Sequence, residues 1–327
     1  MIEYGYIMKR ITIITTGGTI GSELSRGALR PTADISGLLT TATGQGAPDA
    51  EYRFIPLMNM LSENMTGGGT VRIVRAAMDA LEKSDGVILT HGTDTLEYTA
   101  AALSYAFGLS CPPVVLASAV LPPSHPHSDA PVCLAACAAV AASDMRGVFA
   151  CFASGERVTV SRASRLLPYL PYSGERFTLG APFAYVTGNA VLPCPDYSER
   201  PDELPPADIS ALALPSDVLP VLPVPSCALP SPDGKRAVAF ISFHSGTLPT
   251  ARADFADYCR HCLERGVKLY AVCSSPSVLY ESAEALSGLG ITVLPRMTPA
   301  SALTRLRLGL DLRLSLGGDI LCDSGRR

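Results

Sequence analysis

The sequence predicts the α/β class, with a larger N-terminal domain and a smaller C-terminal one. Three features of the chain point this way. Short β-branched or apolar runs alternate with segments whose apolar residues recur every three or four positions, the pattern of strands alternating with helices. That alternation breaks once, where 11 of the 27 prolines fall between Pro193 and Pro232, and then resumes. A chain of 327 residues with 47% hydrophobic side chains also exceeds the size of one typical core.

Strands are expected over residues 11–15, 87–90, 114–117 and 148–152, each a short buried run. Helices are expected over 71–81, 95–107 and 130–142, between those strands. Strand, helix, strand in this order builds a parallel sheet with crossover helices, so the N-terminal domain is flavodoxin- or Rossmann-like over 1–192. The proline-rich stretch 193–235, with Pro205-Pro206 and Pro223-Val224-Pro225, reads as a connector. From 236 to 327 a second α/β domain follows. Its strands are expected at 237–243, 267–272 and 291–294, and its helices at 251–263, 277–286 and 299–310.

Composition removes several functional classes. The net charge is -4, from 26 basic and 30 acidic residues, and no basic stripe recurs, which excludes a surface built to neutralise phosphates. No window approaches the ~20 apolar residues of a membrane span, and the first apolar run is too short for a signal-peptide core, so a cytoplasmic protein without membrane contact is expected. The ten cysteines are irregularly spaced and read as reduced core residues. Cys259 and Cys262 form C-R-H-C on a helical segment without a second ligand pair, and His125 and His127 lack a third ligand, so neither pair reads as a metal site. Charged residues make up 17% of the chain, against roughly 25% in average domains, which suggests surface hidden by self-association.

The chemistry sits at two strand ends. The first strand runs into Thr15-Thr16-Gly17-Gly18-Thr19-Ile20-Gly21, and the strand at 87–90 runs into His91-Gly92-Thr93-Asp94-Thr95. Parallel strands open their carboxyl ends on one edge, where ligands of α/β sheets bind. Thr16 and Thr93 are therefore expected to face one substrate, with Asp94 as a charged anchor. Thr93 or Asp94 as a plain helix cap is the competing account. A dinucleotide fingerprint is absent, because glycine would be needed where Thr16 stands.

T-G-G-T-I-G after a first strand together with H-G-T-D-T after a later one resembles the bacterial-type L-asparaginase (asparaginase/glutaminase) family. The stretches Leu61-Ser62-Glu63-Asn64-Met65-Thr66, Ser128-Asp129-Ala130-Pro131, Phe243-His244-Ser245-Gly246-Thr247 and Arg296-Met297-Thr298-Pro299 extend the likeness over nearly the whole chain. The resemblance implies hydrolysis of L-asparagine, or of a close ω-amide amino acid, to the acid and ammonia without metal or organic cofactor. Thr16 matches the family's nucleophile, and Thr93 with Asp94 its second threonine and aspartate. Ser62 and Glu63 match the loop holding the substrate's carboxylate and ammonium, Asp94 also binds that ammonium, Gly92 offers its backbone, and Thr19 is secondary. A homodimer or homotetramer with the site near a subunit interface is implied, His244 being either part of that interface or a strand-end turn.

Two departures from the family pattern stand out. The family's lysine in R-x-V-T-K meets Arg157-Val158-Thr159-Val160-Ser161-Arg162, which offers valine in a gapless reading and arginine after one insertion. Arginine stays protonated near neutral pH and is no base. The flap tyrosine meets Leu29. These departures keep open a catalytically impaired amino-acid binder. A third reading, the asparaginase-like subunit of a tRNA-dependent amidotransferase, is disfavoured by the ten residues that precede Ile11 and by the missing basic surface.

Overall fold

The computed structural model describes residues 8–31, 35–154, 157–170, 175–199, 204–273 and 280–312. It divides into two compact units, Met1–Ser198 and Glu199–Arg327.

The first unit opens with β1 (Arg10–Gly17), apolar toward both faces because it runs through the middle of a sheet. A hairpin follows, β2 (Ser22–Ser25) and β3 (Ala28–Pro31), in which Leu24 pairs with Leu29. Next come α1 (Ser36–Thr43), β4 (Glu51–Met60), α2 (Gly67–Leu81), β5 (Gly86–Thr90), α3 (Leu96–Phe107), β6 (Val114–Ala117), α4 (Ala130–Ala142), β7 (Val148–Ser154) and β8 (Arg157–Arg162). The unit closes with the pairs β9 (Leu166–Leu170) with β10 (Glu175–Thr178) and β11 (Ala184–Thr187) with β12 (Ala190–Pro193).

The large sheet has the order β12-β11-β8-β7-β6-β5-β1-β4. Its strands β4, β1, β5, β6 and β7 are parallel, and β8, β11 and β12 extend it antiparallel. The expected parallel core is thus present, within a mixed sheet of eight strands. One face, with Ile11, Ile13, Ile88, Val115 and Phe149, is covered by α1 and α4. The alternate residues Ile14, Val87, Leu89, Val114 and Leu116 are equally buried, and α2 and α3 pack against each other on that side. Helix α4 is built almost entirely of buried alanine, cysteine, leucine and valine, which lets it approach the strands closely. At Gly86 the approach is tightest, since a Cβ there would meet the Ala141 carbonyl oxygen at 2.2 Å.

The β7–β8 hairpin decides where the residues of the expected lysine stretch go. Thr90, Ala117 and Cys151 pair across β5, β6 and β7, and Cys151 pairs with Val160, so Val160 stands level with the last residue of β5. It is fully buried in the core with α4. Arg162 pairs with Phe149, two residues nearer the amino edge. Its guanidinium lies 4.5 Å from the ring centroids of both Phe149 and Phe183 and donates to the Arg146 carbonyl oxygen at 2.5 Å. The arginine reached by inserting one residue therefore serves the sheet's far edge. Both lysines of this unit lie at that edge too: Lys9 precedes β1 and pairs with Asp144 at 3.3 Å, and Lys83 follows α2 just before β5.

The second unit holds a parallel sheet of order β13-β14-β15-β16, from β13 (Val218–Val221), β14 (Ala237–Ile241), β15 (Lys268–Val272) and β16 (Ile291–Val293). Its helices are α5 (Ala253–Glu264), α6 (Glu281–Glu284) and α7 (Pro299–Leu308). β13 lies inside the proline-rich stretch, which is therefore not wholly connector; Pro220 is tolerated because β13 is an edge strand. Cys259 and Cys262 are buried on α5 against Phe240 and Leu269, so the C-R-H-C pair is core packing. The helix expected at 277–286 falls partly outside the described residues.

Two outcomes are expected from this packing. Gly86→Ala should lower the unfolding free energy by about 1–3 kcal/mol, read by urea denaturation, because the added methyl meets a backbone oxygen that cannot move alone. Arg162→Leu should cost roughly 2–3 kcal/mol by the same measurement, for the lost stacking and charged hydrogen bond. It should leave any ammonia-releasing activity of the folded protein unchanged.

Candidate active site at the carboxyl edge of the N-terminal sheet

Three strand ends meet at this edge. Thr16, 2% exposed, donates its backbone N–H to Thr90 Oγ1 at 3.1 Å and its hydroxyl to the Thr90 carbonyl oxygen at 2.5 Å, which ties β1 to β5. Gly18 donates its N–H to the Met60 carbonyl oxygen at 3.1 Å, which ties β1 to the end of β4. Gly18 also has φ +79°, and a Cβ on it would stand 2.3 Å from the Gly92 nitrogen. Backbone packs directly on backbone there, so both the left-handed conformation and the close approach require glycine.

The 3-10 turn Ser62–Asn64 follows β4 and lies under the Gly92 loop. Ser62 is buried; its Oγ donates to Asp94 Oδ2 at 3.1 Å and accepts the Asp94 N–H at 3.2 Å, while its carbonyl accepts the Thr95 hydroxyl at 2.8 Å. A Cβ on Gly92 would fall 2.4 Å from Ser62 Oγ. Of the expected residues, Thr16, Gly92, Thr93, Asp94 and Ser62 are thereby brought to one edge. Asp94 and Glu63 are exposed, while Thr93 and Thr19 are half-buried. Thr95 occupies the N-cap of α3 without a side-chain cap, its hydroxyl being held by Ser62.

His91 is a member of this arrangement that sequence reasoning missed. It is 1% exposed, with Nδ1 2.8 Å from the Gly92 carbonyl oxygen and Nε2 2.9 Å from Thr99 Oγ1. A carbonyl only accepts, so Nδ1 carries the hydrogen, and in the neutral ring Nε2 accepts from Thr99. The ring thus pins the Gly92–Thr93 peptide to the first turns of α3. The signal available in the sequence was the spacing of His91 and Thr99 across a strand end and a helix start.

Asp129, at the start of α4, accepts the N–H groups of Val120 and Leu121 at 2.9 Å each and so holds the loop after β6. In that loop His127 donates its N–H to His125 Nδ1 at 3.1 Å, and both rings are exposed. Among the described residues no group of three histidine, cysteine or acidic side chains is disposed to hold a metal, and no helix is long and apolar enough to cross a membrane. Leu29, in the flap tyrosine's expected place, is half-buried in the β2–β3 hairpin. In the second unit His244 is exposed in a tight turn after β14, closed by the Gly246 N–H on the Phe243 carbonyl at 2.8 Å.

Residues 10–167 match the family model for the asparaginase N-terminal domain. Over part of its length the chain is similar to a glutamyl-tRNA(Gln) amidotransferase component from Thermoplasma volcanium, 33% identical over 133 residues, or 39% of this chain and 31% of that protein. It is also similar to the L-asparaginase of Thermococcus kodakarensis, 32% identical over 143 residues, 44% of each. The matched stretch thus spans between 31% and 44% of the length of these curated relatives. The fold is shared with the solved thermostable L-asparaginase from Thermococcus kodakarensis, at TM-score 0.72 and 22% identity over 91% of this chain and 92% of that one. It is shared equally with a probable cytoplasmic L-asparaginase from Campylobacter jejuni, at TM-score 0.72 and 22% identity over 92% and 94%. Residues 10–167 thus carry an asparaginase N-terminal domain, and the chain shares its fold with solved L-asparaginases.

Proposed function

We propose that the chain hydrolyses the side-chain amide of L-asparagine, or of a close ω-amide amino acid, with Thr16 as nucleophile. The observation that carries this is the glycine-to-glycine approach of Gly18 and Gly92, which sets Thr16 beside the Thr93–Asp94 loop with Ser62 locked beneath it. Thr16 attacks the amide carbon and forms an acyl-enzyme, and ammonia leaves. Backbone N–H groups near Gly92 and Thr93 stabilise the oxyanion. A water assisted by the Thr93 region then releases the acid. Asp94 and Glu63 bind the substrate ammonium, Ser62 helps hold its carboxylate, and Thr19 lies beside them. The protein works without metal or organic cofactor, as a homodimer or homotetramer. Some relatives are components of amidotransferases, so hydrolysis coupled to a partner is the neighbouring version of the same chemistry.

A binder of the intact amino acid is the second reading, and one observation favours it. Val160 is sealed in the core and Arg162 serves the opposite edge, so the β8 strand brings no base to Thr16. The resting Thr16 hydroxyl accordingly points its proton at a backbone carbonyl.

The purified protein at high concentration should release ammonia from asparagine or glutamine, and Thr16→Ala should lower that release at least a hundredfold. Stoichiometric binding of intact asparagine by calorimetry without any ammonia would support the binder instead. Gly92→Ala should weaken substrate binding in either case by about tenfold or more, because its methyl displaces Ser62 and breaks the hydrogen bonds to Asp94. An unchanged affinity in that variant would remove Ser62 from the site.

A further inference from the structure

A buried side-chain oxygen without a hydrogen-bond partner is uncommon, because its dipole is desolvated and left uncompensated. Ser118 is such a residue: it is 2% exposed, and its Oγ has no partner. It is the first residue after β6, and its place in the sheet is set by the pairing of the neighbouring strands. The Thr90–Ala117 pair continues by one residue to set Ser118 level with His91, and the Ile14–Leu89 pair continues by two to set Thr16 level with His91. The His91 N–H still donates to the Ala117 carbonyl at 2.9 Å, so β5 and β6 stay together up to this level. Thr16, His91 and Ser118 therefore form one row across three adjacent strand ends. With strands ~4.8 Å apart, the backbones of Thr16 and Ser118 stand about 10 Å from each other, the scale of a small amino acid with its hydrogen-bond contacts. Thr15 Oγ1 is also buried without a partner at this edge, but strand alternation turns it to the face opposite Thr16.

We propose that Ser118 is a further substrate-contacting residue, its hydroxyl accepting a hydrogen bond from the side-chain amide nitrogen of the bound substrate. This rests on the amidohydrolase reading above. A hydroxyl offers one donor and two acceptor positions, and an amide NH2 offers two donors, so the substrate supplies the partner that the protein withholds. The orphaned hydroxyl is the cost in the empty protein, and it is recovered on binding.

Ser118→Ala tests this by steady-state ammonia release from asparagine and glutamine, together with thermal unfolding of the ligand-free protein. The expected result is a KM raised about five- to tenfold for the preferred amide, as for one lost hydrogen bond, with a melting temperature unchanged or higher because an unpaired buried hydroxyl is gone. Kinetic constants within twofold of the parent overturn the proposal. So does a melting temperature lowered by several degrees together with kcat, which assigns Ser118 to packing. If the parent protein releases no ammonia, the amidohydrolase reading has failed, and calorimetric titration with intact asparagine decides separately. Weaker binding by Ser118→Ala then supports the contact, whereas equal binding, or none by either protein, overturns it.

Discussion

The backbone-to-backbone approach of Gly18 and Gly92 is the contact on which the candidate site depends. Adding even one carbon to Gly18 would place it 2.3 Å from the Gly92 nitrogen, and adding one to Gly92 would drive it into the Ser62 hydroxyl. With neither present, the loops after β1, β4 and β5 close on one another until main-chain groups touch. Thr16 then hydrogen-bonds Thr90, and Ser62 reaches Asp94. The parallel sheet provides the edge, and the two glycines bring its loops together there.

The same packing explains why the nucleophile question is sharper than the family resemblance alone made it. Thr16 is nearly inaccessible and its hydroxyl is already engaged with the Thr90 carbonyl, which cannot take a proton. For Thr16 to act as the proposed nucleophile, its activating group would have to reach the edge from another element, since the hairpin of β8 with β7 buries Val160 and carries Arg162 to the far end of the strands. Among the described residues, the exposed ionisable groups at the edge include the carboxylates of Asp94 and Glu63 and the imidazoles of the loop after β6. His91 is excluded from that role by its own hydrogen bonds, which commit both ring nitrogens to holding the Gly92–Thr93 peptide.

Central strands and crossover helices were legible in the sequence because burial on both sides leaves a continuous apolar run, and an amphipathic helix leaves a repeat of three and four. β1, β5, β6 and β7 carry the first mark and α2 the second, while α3 and α4 are buried nearly all round and are legible as helices by their length. The strands without it lie at or toward the sheet edges. β4 is half-exposed along its length and contains Pro56, β8, β11 and β12 add to the sheet through hairpins, and β13 contains Pro220. Their pairing is made by main-chain groups, which every residue possesses, so little of it is written in side-chain type.

For the site, residue order alone fixes which residue types stand at which strand ends: threonine and glycine after β1, glycine, threonine and aspartate after β5, serine and glutamate after β4. Because parallel strands open on one edge, it also determined that these ends face the same side. Register, by contrast, is set only in the folded chain. The level of Arg162 against Phe149, the partner of His91 on α3 and the row formed by Thr16, His91 and Ser118 each depend on pairing between segments far apart in the chain. A shift of one residue in a strand turns every side chain to the other face, and no local pattern in the sequence records which register the distant partner selects.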